Sequence, residues 1–325
     1  MVIKQYEEIF LGLKGFREVK IIRLIRNFAT NPYKRTLYIL KMQDKIFGLS
    51  DRKYIEKNFV LRCGYHPDLD NPKTLCEKLN WVKLNDRRPE YTDMVDKYKV
   101  KQFVAEKAGE KYVTPLLGVW DRFEDIDFDK LPDTFVLKCN HDGGPIVVKD
   151  KNQFDKKAAA ATFRKKLKAD YFRLSREWPY KNVQRKIIAE PFYDSLGKRD
   201  SVEYKLTCFN GKVKFTTVCI GIAHAAYDER NNDHFDRDWK RLDFSVNYKS
   251  SGKQIEKPHF MDEMIWVAEK LAEGIPYVRV DFYVIDGQIK FGEMTFFTWG
   301  GFMKFDPPQW DEILGSWMKL PGIDY

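Results

Sequence analysis

Residues 278–296 read VRVDFYVIDGQIKFGEMTF, and this stretch decides the fold. Asp286-Gly287 stands between two apolar runs, the mark of a β-hairpin with a two-residue turn. On the first run Val278, Val280, Phe282 and Val284 alternate with Arg279, Asp281 and Tyr283. One face is therefore apolar and the other carries an arginine and a carboxylate. The second run carries Glu293. Two carboxylates on neighbouring strands, beside an arginine, are costly unless a cation sits between them. Mg²⁺ with a nucleotide meets that need, because hard oxygen ligands and phosphate oxygens complete its octahedron. Taken alone, the stretch is read equally well as a core hairpin with edge charges.

The register sets a condition. A strict two-residue loop pairs Ile285 with Gln288 and Val280 with Glu293, which turns Asp281 and Glu293 to opposite faces. Sharing a face needs one extra residue, from a three-residue loop at Gly287 or a bulge at Gly292. The bulge is expected, because the strict register already pairs Val284 with Ile289 and Phe282 with Phe291.

The chain has 325 residues, 43% hydrophobic and 32% charged, enough for two or three compact lobes. No window approaches the roughly 18–20 apolar residues of a membrane span. The opening MVIKQYEEIF has no apolar run closed by a cleavage site, and the five cysteines are scattered without a CxxC or Cys/His pair. A reducing, cytoplasmic setting is expected, with neither disulfide framework nor zinc site. Of the net charge of +9, residues 1–60 carry +7, from 13 Lys+Arg against 6 Asp+Glu. The run KIIRLIR at residues 20–26 spaces basic residues helically among aliphatics. It suits an anionic membrane surface or acidic polymer, or simply a helix with a solvated basic face. No nucleic-acid recognition motif accompanies the charge.

Residues 1–60 read as helical, 71–86 as a capped amphipathic helix and 93–109 as another helix ended by Gly109. Strands are expected at 135–139, 146–149 and 186–192, and a basic, Ala-rich helix at 154–176. A second hairpin turns at Asn210-Gly211, residues 224–258 read as a mobile polar loop, and 261–273 as a helix ended by Gly274. Strands mixed with helices and hairpins make the class α+β. Lys138 closes an apolar strand before the loop His141-Asp142-Gly143-Gly144-Pro145, where a glycine loop and a strand lysine suit phosphate, though this is no Walker A loop.

The order of lysine and glycine loop, strand with glutamate, second lysine strand and carboxylate hairpin resembles the ATP-grasp superfamily of carboxylate–amine ligases over about residues 93–302. More closely, the segments EKLNWVKLNDRRPEYTDMVDKYKVKQFV, PLLGVWD, FDKLPDTFVLKCNH, FNGKVKF and FGEMTF resemble the TupA-like group, named for teichuronopeptide synthesis, over about residues 66–320. The resemblance implies two α+β lobes clasping ATP. It divides the chain into a basic helical region, 1–92, and a catalytic region, 93–325. Within the latter, 135–192 would clasp nucleotide and 200–325 would hold metal and acceptor. Lys97 (in Asp96-Lys97), Lys138, Gly143 and Gly144 would contact phosphate, and Glu190 the adenosine end. Lys205 is either a third phosphate lysine or a solvated strand lysine. Asp281, Glu293 and Thr295 would hold Mg²⁺, two ions being expected, and Arg279 would steady the reacting carboxylate. Thr295 stands where the family usually has Asn, His-Asp-Gly-Gly where a His-Gly-Ser-Gly-like stretch is expected, and residues 297–301 where Pro-Gly is usual.

The implied reaction activates a carboxylate through an acyl phosphate, releases ADP, and joins the acyl group to an amine. His141 and His224 are the candidates for the base that deprotonates it. A uronic acid or acidic surface glycan and an amino acid are the expected partners, with the basic region at a glycan or at the inner face of the membrane. An ATP-grasp kinase remains a rival. So does a glycosyltransferase, suggested by acidic triplets at Asp68/Asp70, Asp125/Asp127 and Asp127/Asp129, and so does a non-catalytic polymer-binding module.

Overall fold

The computed structural model describes residues 31–193, 201–221 and 230–323. It divides into two compact units, Met1–His66 and Pro67–Tyr325. In the first, helices α1 (Pro32–Phe47) and α2 (Asp51–Cys63) pack together. Asn31 and Ser50 cap them by accepting the amides of Lys34 and Lys53, and left-handed Gly48 and Gly64 end them. The run at residues 20–26 lies outside the described residues.

The second unit opens with α3 (Leu75–Asn85), α4 (Glu90–Val95) and α5 (Val100–Lys107). The Thr74 hydroxyl accepts the Glu77 amide, and the Glu77 carboxylate takes the Thr74 amide, a capping box that starts α3 at Leu75. Next come strands β1 (Gly118–Trp120), β2 (Phe135–Cys139) and β3 (Ile146–Val148), helices α6 (Lys156–Leu167) and α7 (Phe172–Ser175), and strand β4 (Ile187–Pro191). These strands form an antiparallel sheet in the order β1-β4-β2-β3. Alternation on β2 buries Phe135, Leu137 and Cys139 in a core shared with Phe163 of α6, and leaves Val136 and Lys138 on the opposite face.

The chain continues as β5 (Val202–Phe209), β6 (Lys212–Ile220), β7 (Asn232–Asp236), β8 (Ser245–Val246), α8 (Met261–Leu271), β9 (Tyr277–Ile285), β10 (Gln288–Thr295), β11 (Phe305–Asp306) and α9 (Trp310–Trp317). A five-stranded antiparallel sheet runs β10-β9-β5-β6-β7, and β11 pairs with β8. Helix α8 covers β5, β6 and β9, burying Leu206 and Val280. The turns Asn210-Gly211 and Asp286-Gly287 have positive φ at both positions, as a two-residue hairpin requires.

The hairpin register is the bulged one. Phe291 pairs with Phe282, the ladder shifts, and Glu293 pairs with Asp281. A Cβ on Gly292 would lie 2.8 Å from the Tyr283 ring and 3.1 Å from the Asp281 carbonyl, so the bulge needs glycine for space.

Three expectations are corrected. The helix over 93–109 breaks, because the Asp96 carboxylate accepts the amides of Tyr98 (2.8 Å) and Lys99 (3.4 Å) and restarts the chain as α5. The helix over 154–176 divides into α6 and α7. The polar stretch from 230 onward is ordered around buried Asp233, which accepts from Ser250 (2.5 Å), Ser251 (2.6 Å) and Arg241 and lies in β7. Residues 224–229 lie outside the described residues.

The C-terminal end of this unit locks onto α3. Lys83, fully buried, donates to the Gly300 carbonyl (2.5 Å) and the Ser175 carbonyl (2.9 Å) and lies 4.3 Å from the Phe302 ring centre. Asn80 donates to the Gly301 carbonyl (2.7 Å), Lys78 to the Met318 carbonyl (2.7 Å), and the Cys76 amide to Asp311 (2.9 Å). Gly315 lets α9 touch this region, since a Cβ there would lie 2.2 Å from the Lys73 carbonyl. Gly292→Ala is expected to lower stability by about 1–3 kcal/mol through overpacking at the bulge. Urea unfolding reads this directly, and an unchanged midpoint would show that the bulge accepts a side chain.

Candidate active site

Within the second unit the two larger sheets enclose a cleft of about 540 Å³. One wall carries Val136, Lys138 and Glu190 with the loop Gly143-Gly144, and the other carries Glu203, Lys205, Asp281, Tyr283 and Glu293. Lys97 reaches it from the turn made by Asp96, its amide donating to the Asn140 carbonyl at the end of β2 (2.9 Å). The cleft thus collects Lys97, Lys138, Gly143, Gly144, Glu190, Lys205, Asp281 and Glu293.

On the five-stranded sheet the charges are tightly paired. Asp281 is 2% exposed and binds Arg279 twice (Nε–Oδ1 2.6 Å, Nη2–Oδ2 2.7 Å) and Lys205 once (2.8 Å). Lys205 also binds Glu203 (2.7 Å). Lys97 lies 3.2 Å from Glu293, whose side chain keeps 37% exposure. Arg279 Nη2 donates to the Thr295 hydroxyl (3.1 Å), and Thr295 donates to Glu293 (3.3 Å). Burial alone would raise the Glu293 pKa, but Lys97, Arg279 and Lys205 together bring it down to about 2. Burial likewise opposes the charges of Arg279 and Lys205, yet Asp281 holds both well above their ordinary ranges.

On the opposite wall Glu190 sits between Lys138 (2.6 Å) and Lys101 (2.8 Å). Burial pushes the Glu190 carboxyl up, and the two lysines more than offset it. Lys101 also donates to the Thr114 carbonyl (2.6 Å), and burial lowers its pKa. Sequence reasoning assigned no role to Lys101 or Glu203. Lys101 follows Lys97 by four residues in the same lysine-rich run, but the break at Asp96 leaves Lys97 on Glu293 and Lys101 on Glu190. The carbonyls of Gly143 and Gly144 both accept from Lys166, which also lies 3.2 Å from Asp142. His141 is buried edge-on to Tyr171 and does not line the cleft, and His224 lies outside the described residues. The acidic triplets are engaged locally. Asp68 accepts the amides of Asp70 and Asn71, while Asp125 and Asp127 pair with Arg122 and Lys130.

Among the described residues no group of three or more His, Cys, Asp and Glu could hold a metal ion by itself. Asp281 and Glu293, with the Thr295 hydroxyl in the adjacent row, offer hard oxygens on one face. That donor set fits Mg²⁺, which is held by one or two carboxylates plus phosphate oxygens and water rather than by an all-protein cage.

Asp281→Asn should lower stability by about 3–5 kcal/mol without nucleotide, since Arg279 and Lys205 lose their buried counter-charge. Thr295→Val, which removes no charge, should cost about 1 kcal/mol in the same urea titrations. Equal losses would refute the pairing. Because its folded pKa is depressed, Glu293 contributes stability that is complete above pH 4.5 and fades as pH falls toward 2. Glu293→Gln should therefore flatten the stability profile across that window.

A family model described as TupA-like ATP-grasp matches residues 77–319. A search of curated proteins gives no match. Solved structures that align include D-alanine–D-alanine ligase from Bacillus anthracis (18% identity, 62% of this chain and 56% of that one, TM-score 0.37). L-amino acid ligase from Bacillus licheniformis also aligns (14% identity, 67% and 47%, TM-score 0.41). The chain spans about half the length of these structures. No helix among the described residues is long and apolar enough to cross a membrane. With three quarters of its length matched, and with the lysines, glycine loop and carboxylate hairpin gathered around one cleft, the chain belongs to the TupA-like ATP-grasp family.

Proposed function

We propose that this protein is an ATP-dependent carboxylate–amine ligase that joins an amino acid to a uronic acid of a bacterial surface polysaccharide or its precursor. The observation that carries the reading is the pairing of Asp281 with Glu293 on the cleft face, across from Lys138 and Glu190. Family membership supports the class, and the local engagement of the acidic triplets weighs against a glycosyltransferase.

In this reading residues 135–192 clasp the nucleotide and 200–325 hold the metal and acceptor. Lys97 and Lys138 neutralise the phosphate tail, Glu190 with Lys101 faces the nucleoside end, and Lys205 is a third cation of the cleft. Asp281 and Glu293, with Thr295 beside them, hold Mg²⁺, which when bound neutralises phosphate charge. Arg279 orients the substrate carboxylate and steadies the oxyanion formed when the amine attacks. The loop at Gly143-Gly144 closes over the phosphates and keeps water from the acyl phosphate. The surplus of basic residues in 1–60 would bring the enzyme to an anionic glycan or to the inner face of the membrane.

Purified protein with Mg·ATP, glucuronic or galacturonic acid and mixed amino acids should release ADP and phosphate in equal amounts and form an amide. Absence of ADP with every acceptor, in protein that still binds ATP, would overturn the ligase reading. ADP without free phosphate would identify a kinase instead.

A further inference from the structure

The polar face of the five-stranded sheet continues past Lys205. Ladder partners run Glu293, Asp281, Lys205, Thr217, His234, one residue from each strand in a single row. Directly paired residues share a face, so the row that starts at the carboxylates ends at a histidine. His234 is 5% exposed. Its Nδ1 lies 2.8 Å from the Thr217 hydroxyl, and its Nε2 has no hydrogen-bond partner among the described residues. The ring is held flat on Phe244 (centroids 4.2 Å apart, planes 5° apart) and edge-on to Phe215.

A buried ring nitrogen without a partner is costly, and such groups are kept where a ligand supplies the missing bond. His234 lines a second cavity of about 60 Å³ with Arg279, Thr217, Asn232 and Trp299. Lys205 lines both this cavity and the nucleotide cleft, so the two lie on either side of it. Taking about 15 Å³ per water, the space holds roughly four waters, or an amine of about five heavy atoms.

We propose that His234 orients the amine nucleophile, its Nε2 accepting an N–H hydrogen bond from a compact primary amine seated in this second cavity. The inference rests on the ligase reading above. The amine lone pair must stay free to attack, so the amine can offer the ring only a hydrogen. Nε2 therefore accepts, and the ring hydrogen sits on Nδ1, donating to Thr217. No proton moves to the ring: the amine reacts as its free base, the carbon–oxygen bond to phosphate breaks as the carbon–nitrogen bond forms, and the departing phosphate takes the surplus proton. Burial dominates and, with Asp233 raising and Arg241 lowering, brings its pKa to about 4, so the ring stays neutral. His234 is a positioning residue that sets both the angle of approach and the size of the amine.

Two measurements test this. In full-length protein with ¹⁵N-labelled histidine rings, the His234 Nε2 resonance, identified by its absence in His234→Gln, should be that of an unprotonated nitrogen. A protonated Nε2 overturns the proposal whatever the reaction proves to be. In ADP-release assays with Mg·ATP, glucuronic acid and glycine, His234→Asn retains a polar atom toward Thr217 but none at the Nε2 position. It should raise the KM for glycine about tenfold and leave that for ATP unchanged. His234→Gln, whose amide reaches the Nε2 position, should recover most of that loss. An unchanged KM for glycine in His234→Asn, or equal losses for glycine and ATP, would overturn the proposal. A wild type that releases no ADP fails the ligase reading instead, and the tautomer still decides the role of His234.

Discussion

One residue without a ladder partner, Gly292, governs the arrangement of charge in this protein. Without the shift it introduces, Glu293 would face away from Asp281 and the carboxylates would lie on opposite sides of the sheet. With it, Lys97, Arg279 and Lys205 converge on two acids instead of one. The crowding explains why glycine occupies the position. A Cβ there would run into the Tyr283 ring, which itself lines the cleft.

The two walls use the same device, an acid held between two cations. On the four-stranded sheet one acid, Glu190, lies between two lysines. On the other sheet one acid, Asp281, is shared by an arginine and a lysine that also touch further acids. Each of these groups has a partner among the described residues, so none of them is left as a bare buried charge.

Legibility in the sequence followed the range of the interaction. The hairpin, its turn and its bulge could be read because period-two alternation and the Asp286-Gly287 turn fix a register within about twenty residues. The capped helix α3 was legible for a similar reason, although Thr74 rather than Asn71 starts it. The break at Asp96 was missed because a side chain accepting its own neighbours' amides competes with a helix that apolar spacing alone would allow. The order around Asp233 was missed because a run of polar residues reads as solvated until a buried carboxylate gathers it. His234 left no trace in the sequence. Its place is defined by a ladder that crosses five strands drawn from three separate segments of the chain.

The bonds that fasten α3 have a consequence for how the chain is made. Asn80, Lys83 and Lys78 lean on carbonyls more than 200 residues further along. During synthesis α3 leaves the ribosome long before those carbonyls exist, so the Lys83 ammonium cannot be buried until residues 300–301 follow. The second unit therefore ties its early helix α3 to segments more than 200 residues later. The segment through Met318 supplies the last of the carbonyls that α3 needs, so its hydrogen-bond set is complete only once that segment has been made.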